Sequence, residues 1–135
     1  MSAPAAVAEI YEAFGRGDVE PILARVAQDV EWDVFADPAS RDGVPWLVPR
    51  RDPAGVGEFF AAVGGGFEIH DFQVRKIFGD DRTAAAEVFI DATVRATGTR
   101  FADEELHVWE FGEDGKVVRF RHYTDTHKHR AAAGA

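Results

Sequence analysis

The sequence predicts an α+β fold in one domain, with three helices first and a long antiparallel sheet after them. Three observations carry this. Apolar residues recur at helical spacing in the first half of the chain, up to the glycine run Gly64-Gly65-Gly66. From Phe67 onward they fall in extended segments separated by short Gly and Asp turns. A length of 135 residues suffices for one core. Elements segregated in this way pack as helices against one face of a sheet.

Composition narrows the function classes. The chain is 46% hydrophobic and 12% aromatic, and its 11 Phe and 3 Trp supply bulk for a core or a cavity wall. A net charge of −9 repels phosphate backbones and anionic lipid heads, which argues against nucleic-acid and membrane partners. With no Cys there is no disulfide framework, no thiolate nucleophile and no Cys-based zinc site. The opening MSAPAAVAEI lacks a basic leader region, and no stretch approaches the roughly 18 apolar residues that span a bilayer. The default expectation is a cytoplasmic protein.

The elements follow in order. Val7, Ile10, Tyr11 and Phe14 recur at helical spacing between Ala5 and Gly15, and Gly15 and Gly17 end that helix. Asp18 is the expected N-cap of a second helix, with Pro21 in its first turn and Ile22, Leu23 and Val26 on its apolar face, ending at Asp29. Val30, Trp32 and Val34 then alternate with Glu31 and Asp33 as a short strand. Residues 36–51, rich in Pro and carrying Trp46, read either as a lid or as an ordered loop whose Trp46 fills the core. Asp52-Pro53 opens a third helix through Val56, Phe59, Phe60 and Val63. Strands are expected over Phe67–Phe78 and Thr83–Ala96, followed by a hairpin from Phe101 to Asp125. The domain spans residues 1–130, and residues 131–135 are expected to form a flexible tail.

The hairpin concentrates the chemistry. A four-residue loop over Gly112–Gly115 would set Trp109 opposite Val118, His107 opposite Phe120 and Glu105 opposite His122. One face then carries Glu105, His107 and His122 at the end of an aromatic wall. Imidazoles beside a carboxylate and aromatic rings suit general acid/base work, although buried histidines also serve as satisfied core or interface groups. Asp33 and Asp91 are further acid candidates. His127 and His129 form an H-x-H pair, but no metal site is assigned. Val88, Ile90, Ala92 and Val94 are apolar on one face, while Leu106, Val108 and Val117 are apolar opposite the aromatic face. Sheets apolar on both faces need a second cover, which predicts a homodimer through the sheet.

The G-R-G-D at Gly15–Asp18, the Q-D-V-E-W at Gln28–Trp32 and the closing L-H-V-W-E-F-x-x-D-G-K-V-V-R-F-R-H-Y-T-D-T at Leu106–Thr126 resemble the SnoaL-like branch of the NTF2-like superfamily. The resemblance covers nearly the whole chain. It implies a cone of three helices against a strongly curved antiparallel sheet, commonly dimeric, around an apolar pocket. It also implies that His107 matches the pocket histidine of polyketide cyclases and the place where ketosteroid isomerases keep a protonated Asp. The cyclases' catalytic Asp falls at His122, the isomerases' general base near Val34, and their helix-one Tyr at about Ile10.

These readings converge on a pocket for a small hydrophobic molecule, with Trp32, Val34, Trp46, Phe60, Trp109 and Phe120 as ligand-binding wall. Its chemistry would be cofactor-free proton transfer on a carbonyl compound, as in an isomerase or cyclase. His107 is the expected donor and His122 the base, helped by Glu105, with Asp33 as a further candidate. The alternatives are a non-catalytic binding module and a structural dimer with a filled pocket.

Overall fold

The computed structural model describes residues 1–135. Helix α1 spans Ala3–Gly15, and the Ser2 hydroxyl accepts a hydrogen bond from the Ala5 backbone N–H at its start. Gly17, at φ +71°, lets the chain turn back so that the Asp18 N–H reaches the Ala13 carbonyl. Helix α2 is only Glu20–Leu23, shorter than expected, and Asp18 does not cap it. The reason lies downstream: Val26 pairs with Val117, so the chain is already extended there and strand β1 covers Val26–Val34.

The segment 36–51 is an ordered wall. It folds as helix α3 (Pro38–Arg41) and a 3₁₀ turn (Pro45–Leu47) that buries Trp46 and Leu47. An isolated bridge between Arg50 and Trp32 ties its end to β1. Helix α4 (Pro53–Gly66) begins with the Asp52 carboxylate accepting from the Gly55 N–H. Strands β2 (Phe67–Gly79), β3 (Thr83–Val94), β4 (Thr99–Phe111) and β5 (Val117–Tyr123) follow.

The sheet order is β1-β5-β4-β3-β2. Pairing is antiparallel except between β1 and β5, which run parallel, so the sheet is not wholly antiparallel as expected. The sheet is strongly curved and unclosed. Register shifts in β2, between Ile69 and Asp71 and between Val74 and Lys76, add twist to that edge. The result is a cone of the kind the resemblance implies: helices fill the concave side, and two hydrophobic clusters meet there. One gathers α1, α2 and the β1, β4 and β5 residues Trp32, Trp109 and Phe120. The other gathers Trp46, Val63, Phe67, Ile90 and Phe101.

The hairpin register differs from the expected one. Trp109 faces Phe120 and His107 faces His122, while Phe111 faces Val117. Between those pairs Val118 is an extra residue; it bulges outward, and Val117 is buried instead. Residues 131–135 also depart from the expected tail. Helix α5 spans Thr126–Ala133, capped by the Asp125 carboxylate and closed by Gly134 at φ +76°. Its Ala132 is buried, and the Ala132 carbonyl accepts from the Thr97 hydroxyl. No helix is long and apolar enough to cross a membrane.

Candidate functional site

A cavity of about 70 Å³ lies between the helices and the concave face of the sheet. Alternation along β4 and β5 points Glu105, His107, Trp109, Phe120 and His122 inward, and all five line it. Trp32 from β1, Trp46 from the 3₁₀ turn and Phe60 from α4 complete much of the wall.

Two expected site residues stand elsewhere. Val34 is buried, but it packs in the second cluster and does not line the cavity. Asp33 lies between Trp32 and Val34 on the opposite face of β1, ion-paired to Arg51 at 3.1 Å. That alternation removes it from the cavity. Asp91 likewise faces away, held by Arg100 at 2.8 Å. The H-x-H pair is split by the helix, with His129 buried and His127 exposed.

The cavity's polar groups form one continuous chain of hydrogen bonds and close polar contacts. The Trp109 indole N–H donates to the Tyr11 hydroxyl at 3.2 Å. Tyr11 Oη lies 2.6 Å from His107 Nδ1, and His107 Nε2 lies 3.0 Å from Glu105 Oε1. Glu105 Oε2 lies 3.1 Å from His129 Nε2, which also meets Asp103 Oδ2 at 2.8 Å. At the far end the Trp46 indole N–H donates to His129 Nδ1 at 2.8 Å.

The direction of each proton follows from groups with a single role, because an indole only donates and a carboxylate only accepts. Trp46 requires a lone pair on His129 Nδ1, so the His129 proton sits on Nε2, between Asp103 and Glu105. The Glu105 carboxylate requires the His107 proton on Nε2, and the bare Nδ1 then accepts the phenol proton of Tyr11. Both halves of the chain end on the Glu105 carboxylate.

The ionisation of these groups follows from their surroundings. Burial alone would raise the Glu105 pKa, but hydrogen bonds and charge from His107 and His129 overcome it and hold the carboxyl well below its usual range. Burial pushes the Tyr11 phenol far up, so it keeps its proton. Burial also opposes charge on His129, yet its bonds to Asp103 and Glu105 and their charges outweigh that and pull its pKa up to about 9. The Trp46 N–H opposes this rise, since a doubly protonated ring has no lone pair for the indole, and with that bond made the ring holds one proton, on Nε2.

His122 differs from the rest. It is 6% exposed, lines the cavity and makes no side-chain hydrogen bond within the protein. Burial pushes its pKa down to about 3, only partly countered by the Glu105 charge, so the ring is neutral at neutral pH. The Trp32 indole N–H on the same wall is also buried without a partner. Glu105, His107 and His122 place ligand atoms within 4.8 Å of one another, as do Asp103, Glu105 and His129. In each set Glu105 already binds a histidine directly, and both are read as hydrogen-bonded clusters.

Three members of this chain, Tyr11, Asp103 and His129, lie outside the set expected from the sequence. Tyr11 takes the place assigned to Ile10, and its phenol on an apolar helix face is itself a signal, since a buried hydroxyl needs a partner. For His129 the signal is Asp125 as a cap and Gly134 as a stop around an alanine-rich stretch.

Comparison with known proteins places this geometry among relatives. The SnoaL-like domain family matches residues 7–120. No curated protein sequence matches significantly. Among solved structures, an NTF2-like protein from Burkholderia thailandensis is 26% identical, with a TM-score of 0.83, over 98% of this chain and 97% of that one. TerC, co-crystallised with polyporic acid, is 23% identical over 98% of this chain and 100% of its own, with a TM-score of 0.77. An LEH-like epoxide hydrolase from M. tuberculosis is 15% identical over 97% of this chain and 88% of its own, with a TM-score of 0.70. At those identities the last two show likeness of fold alone.

Proposed function

Because the chain belongs to the SnoaL-like domain family, we propose that its cavity takes a small neutral carbonyl compound and exchanges a proton with it through His122, without a cofactor, in the manner of an isomerase or cyclase. One observation carries this reading. His122 is the buried imidazole on the cavity wall left without a protein partner, while its polar neighbours are committed to one another. An imidazole in that position needs a ligand to complete its hydrogen bonding.

Neutral His122 has a lone pair for a proton on the carbon beside the carbonyl. The imidazolium formed lies near the Glu105 carboxylate, whose charge stabilises it. Returning that proton to a second carbon completes an isomerisation. The role expected of His107 passes to Tyr11, because both His107 nitrogens are occupied, by Tyr11 and Glu105. Tyr11 lines the cavity with its proton retained and serves as donor to the enolate oxygen by turning its O–H away from His107 Nδ1, while the Trp109 N–H goes on donating to the phenol oxygen. The apolar wall and the ionised Glu105 disfavour anionic ligands. Space for about two water molecules at the cavity's present size limits the ligand to a compact one unless the phenylalanines on the wall turn.

The test is deuterium exchange in D₂O across a panel of small enolisable cyclic ketones, followed by NMR. Wild type is expected to accelerate exchange, and His122→Ala to lower the rate by about 10²–10⁴. Solvent-level exchange for the whole panel with wild type would end the catalytic reading. A structural dimer with a filled pocket is the second reading, favoured by the small volume of the cavity. It expects neither exchange nor ligand-induced shifts in the spectrum of His122. In either reading we propose that two chains pair through the outer face of the sheet.

A further inference from the structure

The C-terminal helix reaches the site through a single side chain. His129 is 2% exposed and forms part of the cavity wall with both ring nitrogens engaged: Nδ1 by Trp46, and Nε2 by Asp103 and Glu105. Asp103 is itself fixed, because its Oδ2 also accepts the Asp125 backbone N–H at 3.1 Å, at the cap of α5. We propose that His129 is a positioning residue for the cavity: held in one tautomer by Trp46, it aims the Glu105 carboxylate at His107 and so fixes which nitrogen of His107 carries the proton.

The argument is one of donor and acceptor counting. Glu105 Oε1 accepts from His107 only while the carboxylate keeps its present orientation, and His129 Nε2–H holds Oε2 in place. Without that donor, a carboxylate with 8% of its side chain exposed loses one of its two anchors and can rotate or take up a proton. A protonated or turned Glu105 no longer requires the proton of His107 on Nε2. The ring can then carry it on Nδ1 and donate to Tyr11, which reverses the polarity of the bond between the two residues. Trp46 sets the direction from outside: its N–H forbids a proton on His129 Nδ1. Three separate parts of the chain, the 3₁₀ turn, β4 and α5, therefore settle the proton position of a residue on the cavity wall.

The inference rests on the acid/base reading of the same cavity, but its test uses the ligand-free protein, so the two can fail separately. Ring ¹⁵N shifts of His107 are measured in histidine-labelled wild type, His129→Phe, His129→Gln and Trp46→Phe. Wild type is expected to show His107 protonated on Nε2 with Nδ1 as acceptor. His129→Phe is expected to collapse the separation between the two nitrogens toward that of a mixed-tautomer ring. Gln places an amide N–H near the position of Nε2, so His129→Gln should keep the wild-type pattern. Trp46→Phe preserves an aromatic ring against Phe67, so it guards against a variant that merely fails to fold. It is expected to let the His129 ring take up a second proton at neutral pH. A wild-type His107 tautomer in folded His129→Phe, or a His129 ring unchanged in Trp46→Phe, would overturn the proposal.

Discussion

At the scale of single residues, the site is governed by the fact that indoles donate and carboxylates accept. Tyr11 shows the cost of a broken link. Tyr11→Phe leaves the Trp109 N–H and His107 Nδ1 buried without their partner, which should destabilise the fold by about 1–3 kcal/mol in urea titrations. A loss near zero would mean that the phenol contributes nothing to the folded state. His122 sets the pH dependence. Its pKa is about 3 when folded against an ordinary histidine value of 6.5, so between those values the unfolded chain holds a proton that the folded chain lacks. Stability therefore rises with pH across that window and is complete above it. Glu105 works in the same direction: its contribution is present above the unfolded carboxylate value and lost as pH falls through the lower folded one. Urea midpoints of wild type are expected to fall steeply from pH 6.5 to 4, with a slope of up to about 1.4 kcal/mol per pH unit from His122. His122→Phe should flatten much of that slope, and an unchanged slope would show that His122 is not held neutral.

At the scale of elements, α5 is the piece whose removal tests the arrangement most directly. Deleting residues 126–135 removes His129 from between Asp103 and Glu105 and exposes the contacts of Ala132. Breaking a buried pair in this way typically costs about 3–5 kcal/mol, so the shortened chain should unfold at markedly lower urea than wild type. Equal midpoints would show that the helix is an ornament. That same helix marks the limit of what the sequence discloses. The amphipathic spacing of α1, the Asp52-Pro53 start of α4 and the alternation of β3 were legible because local chemistry alone specifies them. The inward set Glu105, His107, Trp109, Phe120 and His122 was legible for the same reason. The hairpin register was not, because the bulge at Val118 depends on Val117 being wanted in the core beside Val26, a contact across 91 positions of sequence. The length of α2 and the parallel pairing of β1 with β5 depend on that same distant contact. Asp33 was misplaced by one position for want of knowing which face of β1 met the helices.

At the scale of the whole molecule, the convex face of the sheet is the surface left to explain. Ala85, Phe89, Leu106, Val108 and Tyr123 lie on it half-buried, and Tyr123 stacks on exposed Phe35 with ring centroids 4.8 Å apart. Val118 adds an outward apolar group at the bulge, 37% exposed. A second copy of the same face supplies matching apolar area, and a stable pairing of this kind covers about 800 Å² on each partner. Charge opposes it, since each chain carries −9. Net repulsion between two such chains is screened by salt while the apolar contact is not. The self-association we propose should therefore tighten as ionic strength rises, opposite to an interface built on ion pairs. Sedimentation velocity over a salt series is the measurement, with Leu106→Glu/Val108→Glu as the variant. Wild type is expected to sediment as a dimer that strengthens with salt, and the variant as a monomer. A wild-type monomer at every salt concentration would leave the convex face uncovered in solution. A dimer that loosens with salt would put the contact on another surface, because the apolar patch between β3 and β5 has no means of producing that sign.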